Sequence, residues 1–158
     1  MRVLRCGALE ATGDLFEPYQ VVDVDGVVVA PVAAYLRDLQ ACGRPAATQR
    51  SYAMDLLRWF RFLWAVEVGW DQATRVEARD FCCWIQLAGK PGGLAPDVRY
   101  APATVAHCET VLRGFYGFHL EAGTGPMVNP FPLARGRRWG TGPCRFRARP
   151  GSRMRRWS

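Results

Sequence analysis

Lysine is almost missing from this chain: Lys90 stands alone against twenty arginines. Acidic residues are missing altogether from Arg135 to Ser158, where nine of those arginines fall. The remaining 1–134 holds twelve basic and fourteen acidic residues, so the net charge of +7 belongs to the C-terminal segment and the body is slightly acidic. Such a segment suits a phosphate backbone or another anionic surface and says nothing about fold. No Cys-x-x-Cys occurs among Cys6, Cys42, Cys82, Cys83, Cys108 and Cys144, and His107 and His119 are not spaced with them as zinc ligands. No metal and no cofactor is expected, and the cysteines read as reduced thiols, mostly small core fillers. The best apolar run, Val27 to Ala34, is short and contains Pro31, and Met1 to Gly7 has no signal-peptide core. The expectation is a cytoplasmic protein with no membrane partner.

What is present is enough for one ordinary domain with tails. Of 158 residues, 49% are hydrophobic and 12% aromatic, so most of the chain should fold. Residues 1–18 carry no sustained period. Tyr19 to Val29 places β-branched residues on both sides of Asp25-Gly26, which predicts a small hairpin turning there. Pro31, the spacing of Val32, Tyr35, Leu36 and Leu39, and then Gly43 predict a first helix from about Pro31 to Cys42.

The longest helical pattern runs from Arg44 to Val68. Tyr52, Leu56, Trp59, Phe60 and Leu63 form its apolar stripe, while Arg50, Arg58 and Arg61 lie off it. Thr74 with Glu77 fits a capping box opening a third helix, with Phe81, Trp84, Ile85 and Ala88 as its inner stripe and Gly89 as its stop. Lys90 to Tyr100 reads as a loop. A fourth helix opens around Pro102, with Thr104 a candidate cap, and runs to about Glu121. Its inner face is Val105, Cys108, Leu112, Phe115 and Tyr116 or His119. Gly114 and Gly117 inside it each cost about 1 kcal/mol of helix propensity, which suggests close helix approach or a nearby phosphate backbone. Asn129-Pro130-Phe131-Pro132 is expected to leave the bundle as an extended segment.

Thr48, Tyr52, Asp55, Leu56 and Phe62-Leu63, preceded by a short helix and a Gly-Arg-Pro break, resemble the N-terminal core-binding (SAM-like) domain of the tyrosine recombinase, or phage integrase, family. Ala103-Thr104-Val105, then Leu112 to His119, and the later Asn129-Pro130 continue the resemblance over roughly Pro31 to Pro132. It implies an all-α, four-helix SAM-like bundle. The expected organisation is an N-terminal segment with a small β-hairpin over 1–29, the core-binding domain over 30–132, and a disordered Arg-rich tail over 133–158. Carried over by position, it implies DNA contacts at Thr48, Arg50 and Tyr52 on the second helix. On the fourth, the matching places are Thr104, Ala106, His107 and Arg113. Ala106, His107 and Cys108 stand where the family often carries Asn or basic residues, so that wall should be electrostatically weak.

The resemblance also implies what is lacking. In the family a second domain supplies arginines, a lysine, histidines and an attacking tyrosine. Here Tyr19, Tyr35, Tyr52, Tyr100 and Tyr116 all lie in or before the bundle, and no His-x-x-Arg occurs. No catalytic residue is assigned, and the chain is not expected to act as an enzyme by itself. The expected partners are double-stranded DNA and other recombinase subunits, with no small-molecule substrate. A frameshift or truncation after Arg138 is one reading of the arginine tail, and a genuine basic arm is the other. The alternative functions are a stand-alone DNA-binding regulator that does not cut and a helical protein–protein interaction module.

Overall fold

The computed structural model describes residues 6–87 and 100–133. Strands β1 (Ala8–Ala11) and β2 (Tyr19–Val22) precede helices α1 (Ala30–Ala41) and α2 (Ala46–Val66). A 3-10 turn at Trp70–Gln72 leads into α3 (Arg75–Leu87), and α4 (Pro102–Ala122) completes the bundle. The four expected helices are all present, with bounds within two residues of the sequence reading at every described end. The stop at Gly89, the loop from Lys90 to Arg99 and the tail from residue 134 lie outside the described residues.

Local chemistry accounts for the helix ends. Pro31 and Pro102 sit in the first turns of α1 and α4, where a missing N–H costs nothing. Thr74 caps α3: its hydroxyl accepts from the Val76 N–H at 3.2 Å, while Glu77 Oε2 accepts the Thr74 N–H at 2.8 Å. Thr104 does not cap α4. That position falls to Ala101, which has no side-chain bond to offer. Gly123 ends α4 in the left-handed region at φ 68°, and its N–H meets the Leu120 carbonyl.

The hairpin differs from its expected form. Tyr19–Val22 pairs antiparallel with the upstream Ala8–Ala11, in the register Ala8 with Val22 and Ala11 with Tyr19. On its other side it keeps only a bridge between Val22 and Val28, around a turn in which Asp23 Oδ1 accepts the N–H groups of Asp25 and Val27. Four residues without a hydrophobic period form a strand by pairing with β2, and α2 fastens the two residues just ahead of them. Arg61 donates from Nε to the Cys6 carbonyl at 2.9 Å and from Nη2 to the Gly7 carbonyl at 3.0 Å. Gly7 itself has φ 72°, and a Cβ there would stand 2.5 Å from the Val22 carbonyl oxygen. Residues 6–29 carry five acids, Glu10, Asp14, Glu17, Asp23 and Asp25, and no base.

The core is aromatic and centres on Trp59, which is wholly buried. Phe81 and Phe131 meet its ring edge-on at centroid distances of 5.1 Å, and Phe62 stacks on it at 5.8 Å. Its indole Nε1 donates to the Tyr116 hydroxyl at 3.0 Å, and that hydroxyl donates to the Trp70 carbonyl at 2.9 Å. Every polar atom in this relay is satisfied. Burial drives the Tyr116 phenol well above its ordinary value, so it stays a donor at any physiological pH.

Phe131 corrects a second expectation. The Asn-Pro-Phe-Pro segment does not leave the bundle at once. Asn129 donates from Nδ2 to the Arg113 carbonyl and accepts the Phe131 N–H, each within 3.0 Å, and Phe131 then enters the core. Gly114 allows the other close approach, since a Cβ there would meet the Tyr35 hydroxyl of α1 at 2.8 Å. Gly117 faces open space.

His119 ties the far end together. Its Nε2 donates to the Pro31 carbonyl at 2.9 Å, and Nδ1 accepts from the Thr124 hydroxyl at 2.7 Å, which defines a neutral ring. Desolvation lowers its pKa from the ordinary 6.5, against the opposing pull of the Pro31 bond. An unfolded chain therefore takes up this proton at a higher pH than the folded one. The contribution is fully present above pH 6.5 and falls away as pH drops through the folded value. Urea midpoints measured from pH 8 to 5 should decline below 6.5, with a shallower decline in His119→Gln. Tyr116→Phe strands the Trp59 N–H and the Trp70 carbonyl, and should lower unfolding free energy by about 1–3 kcal/mol in chemical denaturation.

Candidate nucleic-acid interface

Helices α2 and α4 run in the same direction, because Asp55, midway along α2, meets His107 near the start of α4, and Trp59 meets Tyr116 further along both. Their N-terminal halves therefore lie side by side at one end of the bundle. This brings together four of the residues assigned from sequence. Tyr52, half-buried, sets its ring edge-on to His107 at a centroid distance of 5.8 Å. Thr48 stands one turn before Tyr52 in the opening of α2. Thr104 opens α4 one turn before His107 and is half-buried.

At the centre of the seam lies a residue the sequence reading left without a role there. Asp55 is a buried carboxylate, 3% exposed, with a different nitrogen-bearing side chain on each oxygen. Oδ1 pairs with Arg58 Nη1 one turn on, and Oδ2 accepts from His107 Nδ1 at 2.8 Å. A carboxylate only accepts, so the hydrogen of the neutral ring is on Nδ1 and Nε2 is the nitrogen left to meet a ligand. The His107 side chain is 48% exposed and that of Arg58 22%. The Arg58 guanidinium also lies over the Tyr100 ring, 5.0 Å from its centroid. A buried acid thus holds two polar heads at the surface, each against an aromatic ring.

The other two assigned residues lie elsewhere. Arg50 is exposed, but at 3.6 residues per turn it stands about 140° around α2 from Asp55, on the flank of the seam rather than in it. Arg113 is committed to structure: its Nε donates to the Phe131 carbonyl at 3.0 Å. Ala106, also carried over by position, is exposed beside His107. Arg58, Tyr100 and Asp55 are the residues that sequence reasoning passed over. Arg58 was visible as a residue off the apolar stripe, and Asp55 as part of the motif, but their joint arrangement needs α4.

Among the described residues no group of three or more His, Cys, Asp or Glu could hold a metal ion, and no helix is long and apolar enough to cross a membrane. Cys82 and Cys108 are buried free thiols, raised in pKa chiefly by burial, while Cys6 is half-buried and Cys42 exposed. Cys83 is not among the free thiols, a departure from the expectation of reduced cysteines throughout.

Residues 32–123, more than half of the chain, match the family described as Phage integrase, N-terminal SAM-like domain. The chain belongs to this family and carries the core-binding domain of a site-specific recombinase lineage. No curated protein and no solved structure matches it.

The seam generates a direct test of its own construction. Asp55→Asn keeps the shape but removes the charge that holds both heads. It should cost about 1–2 kcal/mol of stability, a modest loss because Arg58 and His107 can turn to solvent. Calorimetry should register that loss.

Proposed function

We propose that this domain grips duplex DNA through the N-terminal halves of α2 and α4, as the core-binding part of a site-specific recombinase or integrase. The observation that carries the reading is the seam itself: half-buried Thr48, Tyr52, Arg58 and Thr104 beside exposed His107, with Asp55 buried beneath them. Hydroxyls and N–H groups at helix starts hold phosphate oxygens, and a guanidinium adds charge. Arg50 serves as a flanking phosphate contact. Arg113 contributes only indirectly, by holding the Phe131 segment in place. The reading concerns binding alone, and no strand-cleavage step is assigned to residues 32–123.

The nine arginines of 135–158 would bind any nucleic acid, so the body must be tested without their charge. In the full-length chain with those nine changed to Gln, duplex affinity should persist and fall with salt. Adding Arg50→Ala should reduce the slope of log K against log salt by about one. Fluorescence anisotropy on a duplex reads both quantities. If neutralising the tail abolishes binding entirely, the body is not the DNA-binding element and a protein-interaction role takes its place.

A further inference from the structure

We infer that Arg58 and His107, mounted on the buried carboxylate of Asp55, form a binding site for one phosphodiester oxygen pair, and that filling it takes up one proton at His107. This rests on the DNA-binding reading and deepens it by naming the anion site and the condition for its use.

The argument is geometric. With Nδ1–H committed to Asp55 Oδ2 at 2.8 Å, a neutral His107 offers the solvent only the lone pair of Nε2. A phosphate oxygen is also an acceptor, so the two repel. Protonation converts Nε2 into an N–H donor without disturbing the Asp55 bond, since the imidazolium keeps Nδ1–H. The charge balance moves the same way. Asp55 and Arg58 cancel, so the cluster is neutral with neutral imidazole and carries one positive charge with imidazolium. An arriving phosphodiester of charge −1 favours the second state, and linkage requires that it draw in the proton.

The surroundings support a surface anion site rather than a packing device. Asp55 keeps both heads fixed before any ligand arrives, which lowers the ordering cost of binding. Tyr100 lies against Arg58 and Tyr52 against His107, so each head has one side on an aromatic ring. Asp55 and Tyr52 of α2 meet the imidazole, and Arg58 of α2, which shares Asp55 with it, lies over Tyr100 ahead of α4. From α4 itself come Cys108, whose thiol is turned to the Asp55 carbonyl, and Glu109, which accepts from Cys82 of α3. Among these residue types histidine alone ordinarily changes charge between pH 5 and 8. The second histidine, His119, is buried with both nitrogens engaged within the fold.

The test is duplex binding by the full chain across pH 6 to 8 at fixed ionic strength. Affinity should rise as pH falls, by at most about tenfold per unit for one linked proton. His107→Gln, at a half-exposed position, should flatten this dependence, with its largest loss of affinity at pH 6. Arg58→Gln should lower affinity several-fold at every pH. NMR of the wild-type ring offers a readout that needs no variant: near pH 7, saturating duplex should move the His107 signals to their imidazolium positions and leave those of His119 unmoved. A pH dependence that survives His107→Gln, or a His107 ring that stays neutral on saturated DNA, overturns the proton-linked site while leaving the DNA-binding reading intact. Failure of the wild type to bind duplex at any pH overturns both.

Discussion

The hydrogen-bond relay from Trp59 through Tyr116 to the Trp70 carbonyl is the constraint on which the rest depends. An indole N–H and a phenol deep in an aromatic core must find partners, and here each has one solution. That solution sets the axial register of α2 against α4. With the register set, Asp55, about one turn earlier on α2, arrives opposite His107, about two and a half turns earlier on α4, and the edge above them follows. A slip of one residue along either helix would strand the relay and separate the carboxylate from the imidazole together. Core and candidate interface are therefore specified by the same alignment.

Arginine-rich proteins invite the inference that every arginine waits for a phosphate. The described residues argue otherwise. Arg61 is spent on the carbonyls of Cys6 and Gly7, Arg113 on that of Phe131, and Arg58 on Asp55. A guanidinium has five donors in a planar fork, and a bundle with loose ends uses that fork to fasten irregular backbone that no ladder can hold. Of these three, Arg58 is the one fastened beside a second polar head, since Asp55 also holds His107.

Much of the fold was legible because helix signals are local. The stripe from Tyr52 to Leu63, the Thr74–Glu77 box and the Pro31 and Pro102 starts depend on residues within one or two turns. What stayed hidden depends on distant partners. Ala8–Ala11 has no pattern of its own and becomes a strand by pairing with β2. Phe131 looked like part of an exit because Pro130 and Pro132 flank it, yet its ring completes a cage around Trp59. In the candidate site, position along the motif singled out Thr48 and Tyr52 on one helix and Thr104 and His107 on another, and the fold sets the two helices side by side. It could not reveal that Arg50 looks away or that Arg113 is occupied, since those are matters of rotation around a helix and of a segment eighteen residues on.

The seat of Phe131 has a mechanical meaning. Tension applied to the chain beyond residue 133 is not spread evenly through the bundle. It reaches first the two backbone grips, Arg113 on the Phe131 carbonyl and Asn129 on the Arg113 carbonyl, and then the ring lodged against Trp59. These few contacts are weaker than the long α2–α4 interface behind them, so the segment would peel away before the helices part. The last described residues are thus fastened by a few contacts of their own, separate from the alignment that brings Asp55 to His107.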